Sequence, residues 1–408
     1  MKVLIITHIF WPETADYKNL VLAQALLSKG HDVTVIAPFP NYPLGRLYDG
    51  YVMSLKQWEL VEGVKVLRVP LYIDHSTSGF KRMLNYGTYT LSASSIGLLN
   101  IGKVDAVFVY APPMTLGFTA FLYKKFFNAR ILLDVVDLWP DAIVGSGMVT
   151  KKIFINISGW IAKKAYQQAD KITVLTEGYA KKVTSVGVPK DKIIVMPPWA
   201  DAKVFISAEP DLDFLKKNQL EGKFCIIHAG NIGPFQDIEN ILHAAVLLRD
   251  KKEIRIVFVG AGRDFEKMKR KAFELKLENV TFTGSYPASR MPGIYAVAKG
   301  LLVSLRHDPY LSINLPSKIP GYLASSKPII CCADGESKRL IKDYGIGLAC
   351  QPGDPLKLSE TINNFMELNE NERHEMGKRS RDIFDKLFDK DVLLKKYIDI
   401  LEGMIFKY

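Results

Sequence analysis

Phe224-Cys225-Ile226-Ile227-His228-Ala229-Gly230-Asn231-Ile232-Gly233-Pro234 carries three signals in one short stretch. The run Phe224–His228 is apolar without alternation, as a strand covered by helices on both faces should be. Small residues follow, and a helix-length segment, Ile238–Arg249, begins near Asp237. Strand, small-residue turn and helix in that order form the unit of a parallel α/β sheet. Downstream the pattern repeats through strands predicted at Arg255–Val259, Val280–Thr283, Leu301–Leu305, Pro328–Cys332 and Ile346–Cys350, with helices such as Asp264–Lys276 between them. Upstream lies Met196-Pro197-Pro198-Trp199-Ala200-Asp201, which cannot be helix and is stiff in φ. It reads as an interdomain linker. Before it, Val3–Thr7, Asp32–Ala37, Val64–Val69, Asp105–Tyr110, Arg130–Val136, Lys171–Leu175 and Lys192–Met196 read as strands, and Asn19–Lys29 as a helix stopped by Gly30. The chain is therefore expected to be α/β, with two Rossmann-like doubly wound domains facing a cleft. Their expected bounds are 1–198 and 199–382, with 383–408 a final helix returning to the N-terminal domain.

Length and composition agree with this reading. A chain of 408 residues has room for two domains with their own cores. At 48% hydrophobic and 24% charged residues it is ordinary for a globular protein, and no tract predicts disorder. Val3-Leu4-Ile5-Ile6 is too short for the apolar core of a secretory leader, and no apolar run is long enough to span a bilayer. The four cysteines sit in strand-like runs without metal spacing, so reduced thiols in a cytoplasmic chain are expected. Net charge is +11, with 22 Lys and Arg against 14 Asp and Glu in the first 200 residues. A basic excess attracts phosphates, anionic lipid or nucleic acid. No recognition motif supports nucleic acid.

In open α/β sheets ligands bind beyond the carboxyl ends of the strands, so chemistry is sought in those loops. In the second half, Gly230, Asn231 and Gly233, with Gln236 following, form a turn that lets backbone approach a diphosphate at a helix N-terminus; a tight turn needing only glycine is the competing reading. Gly260 and Gly262 make a second turn, read either as lining a nucleotide site or as a plain turn. Ser317-Lys318 precedes a helix predicted at Ile319–Ala324. A lysine there can neutralise a leaving phosphate, and Arg306 is a second candidate cation, with Asp308 an acceptor for sugar hydroxyls. In the first half, His8 ends the first strand, and Glu13 and Asp16 lie in the loop after it. Asn41 and Tyr42 belong to Phe39-Pro40-Asn41-Tyr42-Pro43, which cannot be regular structure and is expected to line an acceptor. Asp137 and Asp141 bracket Trp139-Pro140; carboxylates there can orient a hydroxyl or take its proton, while Asp141 equally suits a helix N-cap. Asp211-Leu212-Asp213 imitates a metal motif but lies outside any strand end. It reads as a solvated turn or helix start, and no metal is expected.

These motifs resemble glycosyltransferase family 4. The resemblance rests on Phe10-Trp11-Pro12-Glu13, Gly30-His31-Asp32-Val33, Phe39-Pro40-Asn41-Tyr42-Pro43 with Gly45, Arg68-Val69-Pro70-Leu71-Tyr72, Asp137-Leu138-Trp139-Pro140-Asp141, Ala229-Gly230-Asn231-Ile232-Gly233 with Gln236, and Leu315-Pro316-Ser317-Lys318. It is strongest to the bacterial surface-polysaccharide branch containing N-acetyl-L-fucosamine transferases of O-antigen and capsule synthesis. The resemblance implies a GT-B fold, a nucleotide-sugar donor in the C-terminal domain, and a metal-independent, retaining transfer without cofactor. Lys318, Asp137 and Asp308 would be catalytic. Gly230, Asn231, Gly233, Gln236, Gly260, Gly262, Arg306, Ser317 and Lys318 would bind the donor. His8, Glu13, Asp16, Asn41, Tyr42 and Asp141 would bind the acceptor. Four residues in three places depart from the wider family: Asn231 and Gln236 in one loop replace an Arg and a Lys, Gly321 replaces a Glu that contacts ribose, and Val136 replaces a His.

The expected reaction moves an N-acetylated 6-deoxyhexose, such as N-acetyl-L-fucosamine, from a UDP-sugar to a polyprenyl-diphosphate-linked saccharide. The alternatives are a GT-B sugar-nucleotide epimerase and a catalytically silent scaffold subunit. Such an acceptor, the basic excess, and the runs Lys81-Arg82-Met83-Leu84, Phe121-Leu122-Tyr123-Lys124-Lys125-Phe126-Phe127 and Lys151-Lys152-Ile153-Phe154 point to peripheral attachment on an anionic membrane. The helical spacing of Phe154, Ile157 and Trp160 instead predicts a stripe packed into the core.

Overall fold

A computed structural model describes residues 1–13, 18–76, 78–145, 151–205 and 208–406. The chain divides into two compact units, residues 1–196 with those from Leu394 onward, and residues 197–393.

The first unit contains strands β1 (Lys2–Ile6), β2 (Asp32–Pro38), β3 (Gln57–Val61), β4 (Val64–Val69), β5 (Ala106–Ala111), β6 (Arg130–Val135), β7 (Lys171–Val174) and β8 (Ile193–Val195). They pair in the order β3-β4-β2-β1-β5-β6-β7-β8. All pair in parallel except β3, which runs antiparallel to β4. Leu4, Ile5, Ile6, Val107, Phe108 and Val109 are wholly buried, which is why β1 and β5 read as continuous apolar runs. The sequence reading missed β3. Its residues alternate between exposed and covered, and its signal was the two-residue turn Glu62-Gly63, both at positive φ, that closes a hairpin. Helices α1 (Asn19–Ser28), α2 (Gly79–Ile101), α3 (Leu116–Phe127), α4 (Asp141–Gly145), α5 (Lys152–Gln168) and α6 (Glu177–Ser185) connect the strands.

The second unit contains β9 (Phe224–Ala229), β10 (Ile254–Val259), β11 (Val280–Gly284), β12 (Gly300–Ser304), β13 (Ile329–Cys332) and β14 (Gly347–Cys350). Their order is β11-β10-β9-β12-β13-β14, all parallel. Its helices are α7 (Leu212–Lys217), α8 (Ile238–Leu247), α9 (Phe265–Glu274), α10 (Met291–Val297), α11 (Pro309–Ser312), α12 (Lys318–Ala324), α13 (Gly335–Asp343), α14 (Pro355–Glu367), α15 (Glu370–Ile383) and α16 (Lys390–Ile405), the last crossing into residues of the first unit at Leu394. Strand order reverses between β9 and β12, and in the first unit between β1 and β5. Those reversals open the crevices in which α/β sheets hold ligands.

A buried charge cluster fastens α16 within the first unit. Lys18 Nζ donates to Asp134 Oδ2 at 2.8 Å and to the Tyr397 hydroxyl at 3.0 Å. The Tyr397 and Thr173 hydroxyls both donate to Asp134 Oδ1 at 2.7 Å. Each buried charge thus has an opposite charge and hydrogen bonds, the condition under which burying ions is tolerable.

One of the two readings of Asp211-Leu212-Asp213 holds and one expectation needs correction. The segment is a helix start: Asp211 caps α7 by accepting from the Phe214 amide at 2.9 Å, and Arg290 reaches both Asp211 and Asp213. Phe154, Ile157 and Trp160 do not pack into the core. All three are exposed on α5, whose buried face is made by Ser158, Ala162, Ala165 and Tyr166. The helical period was right, but the small residues mark the inner face.

Candidate active site

In the second unit the loops after β9 and β10 are built on one another. Gly230, Gly260 and Gly262 all adopt positive φ. A Cβ at Gly260 would lie 2.0 Å from the Gly230 carbonyl oxygen, and one at Gly262 would lie 2.3 Å from that of Ile232. Only glycine permits this approach. The Gly230 amide donates to Val259 at 2.8 Å, the Ile232 amide to Ala261 at 2.9 Å, and the Gly233 amide to Gln236 Oε1 at 3.2 Å. Those amides therefore shape the turn. Asn231 sits inside it, its Oδ1 2.5 Å from where a Gly262 side chain would begin. The Asn and Gln that replace the wider family's Arg and Lys are thus engaged in turn geometry.

Lys318, the first residue of α12, returns to this turn. Its Nζ lies 3.0 Å from His228 Nε2, at the end of β9, and 3.5 Å from where a Gly230 Cβ would be. Burial pulls the lysine down to about 7 from an ordinary 10.5. Burial, then the neighbouring Lys318 charge, holds His228 well below its ordinary value, so its neutral imidazole accepts from the ammonium. Such a lysine is poised to be charged fully by an arriving anion. Tyr322, one helical turn on, fixes the same strand end: its hydroxyl accepts from the Ala229 amide at 2.7 Å and donates to the Ala229 carbonyl at 3.1 Å. Gly321 packs toward the Phe205 ring, 3.4 Å from its missing Cβ, so an aromatic ring faces the position where the wider family has Glu.

Arg306, following β12, lies over the Phe235 ring at 4.9 Å and pairs with Asp308 at 3.2 Å. Asp308 Oδ1 caps α11 through the Tyr310 and Leu311 amides, so this carboxylate is partly committed to local structure. Ser317 is exposed beside Lys318.

In the first unit the loops after β1, β2 and β6 bring most of the predicted acceptor residues together. Glu13 is buried; its Oε1 accepts from the Asn41 and Tyr42 amides, both at 2.7 Å, and its Oε2 from Phe10 at 3.0 Å. Burial raises this carboxyl, while the three amides and Arg68 pull it back. Glu13 is thus the clip that shapes the Asn41–Tyr42 loop. Asn41 Oδ1 lies 2.6 Å from His75 Nε2. His8 Nε2 meets Asn85 Oδ1 at 2.8 Å, and burial pulls its pKa down to about 4, so the ring is neutral near pH 7. Tyr86 lies against His8 and Trp139, close enough to Asp137 and Arg82 to feel their charges. Asp141, the first residue of α4, pairs with Lys182 at 3.1 Å. Asp16 lies outside the described residues.

Sequence reasoning missed His228 and Tyr322 in the second unit, and His75, Arg82, Asn85 and Tyr86 in the first. His228 had a signal, a polar residue ending an apolar strand. The others lie on helices or distant loops, where only the fold brings them to the site.

Two Rossmann-like units, each with polar loops at its switch point, are the architecture of the GT-B fold. Residues 19–199 match the family described as glycosyl transferase 4-like domain, and residues 211–383 that described as glycosyl transferases group 1. The chain is a glycosyltransferase built from these two domains. It is 25% identical to the putative colanic acid biosynthesis glycosyl transferase WcaI of Escherichia coli K12, over 99% of this chain and 100% of that one. It is 26% identical to the probable glycosyltransferase WbjE of Pseudomonas aeruginosa, over 72% and 73% of the two chains. In fold it is similar to Anabaena Alr3699/HepE in complex with UDP, with a TM-score of 0.72, 13% identity, and 99% and 100% of the chains covered.

Proposed function

We propose that the second unit binds the diphosphate of a UDP-sugar at Lys318 and the Gly230–Gly233 turn, and that the first unit presents a saccharide acceptor near Asp137. The observation that carries this reading is the pairing of Lys318 with neutral His228 at the sheet's switch point. In the proposed step the glycosidic carbon–oxygen bond breaks, and the departing diphosphate gains charge. Lys318, once protonated, neutralises it, with Arg306 as a second cation. The acceptor oxygen bonds to the sugar carbon, and its proton passes to the leaving phosphate, so retention requires no protein nucleophile. Asp137 orients the acceptor hydroxyl.

The donor sugar in this reading is an N-acetylated 6-deoxyhexose such as N-acetyl-L-fucosamine. The acceptor is a polyprenyl-diphosphate-linked saccharide of O-antigen or capsule synthesis, so the enzyme works peripherally at the inner face of an anionic membrane. The support is the motif resemblance, together with a relative named for colanic acid biosynthesis. Calorimetric titration with UDP, GDP, dTDP, CMP and ADP tests the donor class. UDP should bind tightest, and absence of binding by all five at millimolar concentration would reject it. Transfer from UDP-N-acetyl-L-fucosamine in preference to UDP-glucose tests the sugar.

A further inference from the structure

β10 reads Ile254-Arg255-Ile256-Val257-Phe258-Val259, and every residue of it but Arg255 is buried. The strand lies between β9 and β11, so an arginine within it needs an outlet. It finds one in a pocket of about 310 Å³ at the amino ends of these three strands. Lys223 joins the lining from the loop before β9, Arg249, Lys251 and Lys252 from the loop before β10, and Lys276 from the loop before β11. With Arg255 these are six cations, against two acids, Asp250 and Glu278. Among the described residues none of the six forms an ion pair.

Two atoms of lining residues are buried without a hydrogen-bond partner. Arg255 Nε is a donor lacking an acceptor, and Asn279 Oδ1 an acceptor lacking a donor. Asn279 is only 6% exposed, and its Nδ2 donates to the Ala245 carbonyl at 2.9 Å, which fixes the amide with Oδ1 left over. Buried polar groups in native proteins are paired with protein, water or ligand, because an unmet one costs free energy. Helix ends account for part of the cationic excess: Arg249 Nε donates to the Val246 carbonyl in the last turn of α8. They do not account for Arg255, which sits within a strand, or for Asn279. Water would meet either atom but would not offset the charge.

We propose that this pocket binds a small phosphate monoester carrying hydroxyl groups, of the size of a monosaccharide phosphate. The phosphate offsets the cations and accepts from Arg255, and a hydroxyl donates to Asn279 Oδ1. A volume near 310 Å³ lies at the lower end for ligand pockets and suits one sugar ring with its phosphate. The site is separate from the donor loops. Gly230 and Gly260 follow the carboxyl ends of β9 and β10, and a strand of six residues at about 3.3 Å each puts roughly 20 Å between them and this pocket. Binding here is therefore independent of where the donor sits.

Calorimetric titration of the full chain with glucose 6-phosphate, methyl phosphate and glucose tests the proposal. Glucose 6-phosphate should bind at least tenfold more tightly than methyl phosphate, and glucose should not bind. Lys252→Glu with Lys276→Glu should weaken glucose 6-phosphate at least tenfold. Both side chains are exposed, so the melting temperature without ligand should stay at the wild-type value. Arg255→Met should abolish binding; should that variant not fold, the lysine variant decides. Lys318→Met should keep wild-type affinity for glucose 6-phosphate, and a loss there would move the ligand to the donor loops and overturn the proposal. Equal affinity for methyl phosphate, no binding of glucose 6-phosphate at millimolar concentration, or undiminished binding by either pocket variant would overturn it too. So would capture of nucleic acid or anionic vesicles through these cations with no response to glucose 6-phosphate.

Discussion

Replacing Lys318 by Met should abolish the pH dependence of donor binding. In the free protein, burial holds the Lys318 ammonium near 7. A bound diphosphate supplies the missing opposite charge and must raise that pKa, so donor binding takes up a proton above pH 7. Linkage then fixes the sign. Affinity is flat below about 7 and falls toward tenfold per pH unit above it, roughly thirtyfold between pH 6 and 8.5. His228 contributes no step in this window, because it stays neutral. The assay is calorimetric titration with a UDP-sugar, whose diphosphate lacks the terminal phosphate ionisation near pH 6. At pH 6.5 the Met variant should bind about ten- to a hundredfold more weakly, the loss of one hydrogen bond to a charged group at about 1.5–3 kcal/mol. Stability should move the other way. The unfolded chain holds the Lys318 proton up to 10.5 and the folded chain only to about 7, so the unliganded protein gains stability as pH rises through that interval. The Met variant should lose this gain and be no less stable than wild type at pH 7. A pH-independent wild-type affinity, or the same slope in the variant, would refute the reasoning.

Gly260→Ala should destroy nucleotide binding, since the added methyl would lie 2.0 Å from the Gly230 carbonyl oxygen; unchanged calorimetric affinity would count against the paired turns. Tyr322→Phe, which removes both hydrogen bonds to Ala229, should cost about 1–2 kcal/mol in urea unfolding. Glu13→Ala strands the Phe10, Asn41 and Tyr42 amides and should cost about 3 kcal/mol or more by the same measurement. Asp137→Asn should slow transfer to acceptor while leaving calorimetric UDP affinity intact, and equal loss of both would assign Asp137 a structural role.

Periodicity carried most of the fold. Strands such as Ala106–Ala111 could be read because burial on both faces writes a continuous apolar run, and the helix Asn19–Ser28 because Gly30, at positive φ, marks its end. The hairpin strand Gln57–Val61 escaped because an edge strand is half polar and its only signal is a two-residue turn. On α5, periodicity found a stripe but not its direction, which depends on whether large or small residues face the sheet. The donor loops were legible through Gly230, Gly260 and Lys318, since close backbone approach demands glycine. Their partners His228 and Tyr322 were harder to see, because hydrogen bonds across about 90 residues of chain leave no local pattern. In the first unit, Glu13 attracted attention as a polar residue in a loop after a strand, and the structure shows it hydrogen-bonded to a backbone amide of its own loop and to those of the loop after β2.

The most direct test of the central claim is a crystal structure of the full chain with UDP bound. The account predicts the diphosphate within hydrogen-bond distance of Lys318 Nζ, beside the Gly230–Gly233 turn. UDP seated elsewhere in the second unit, or in the first, with Lys318 still turned to His228 alone, would contradict it.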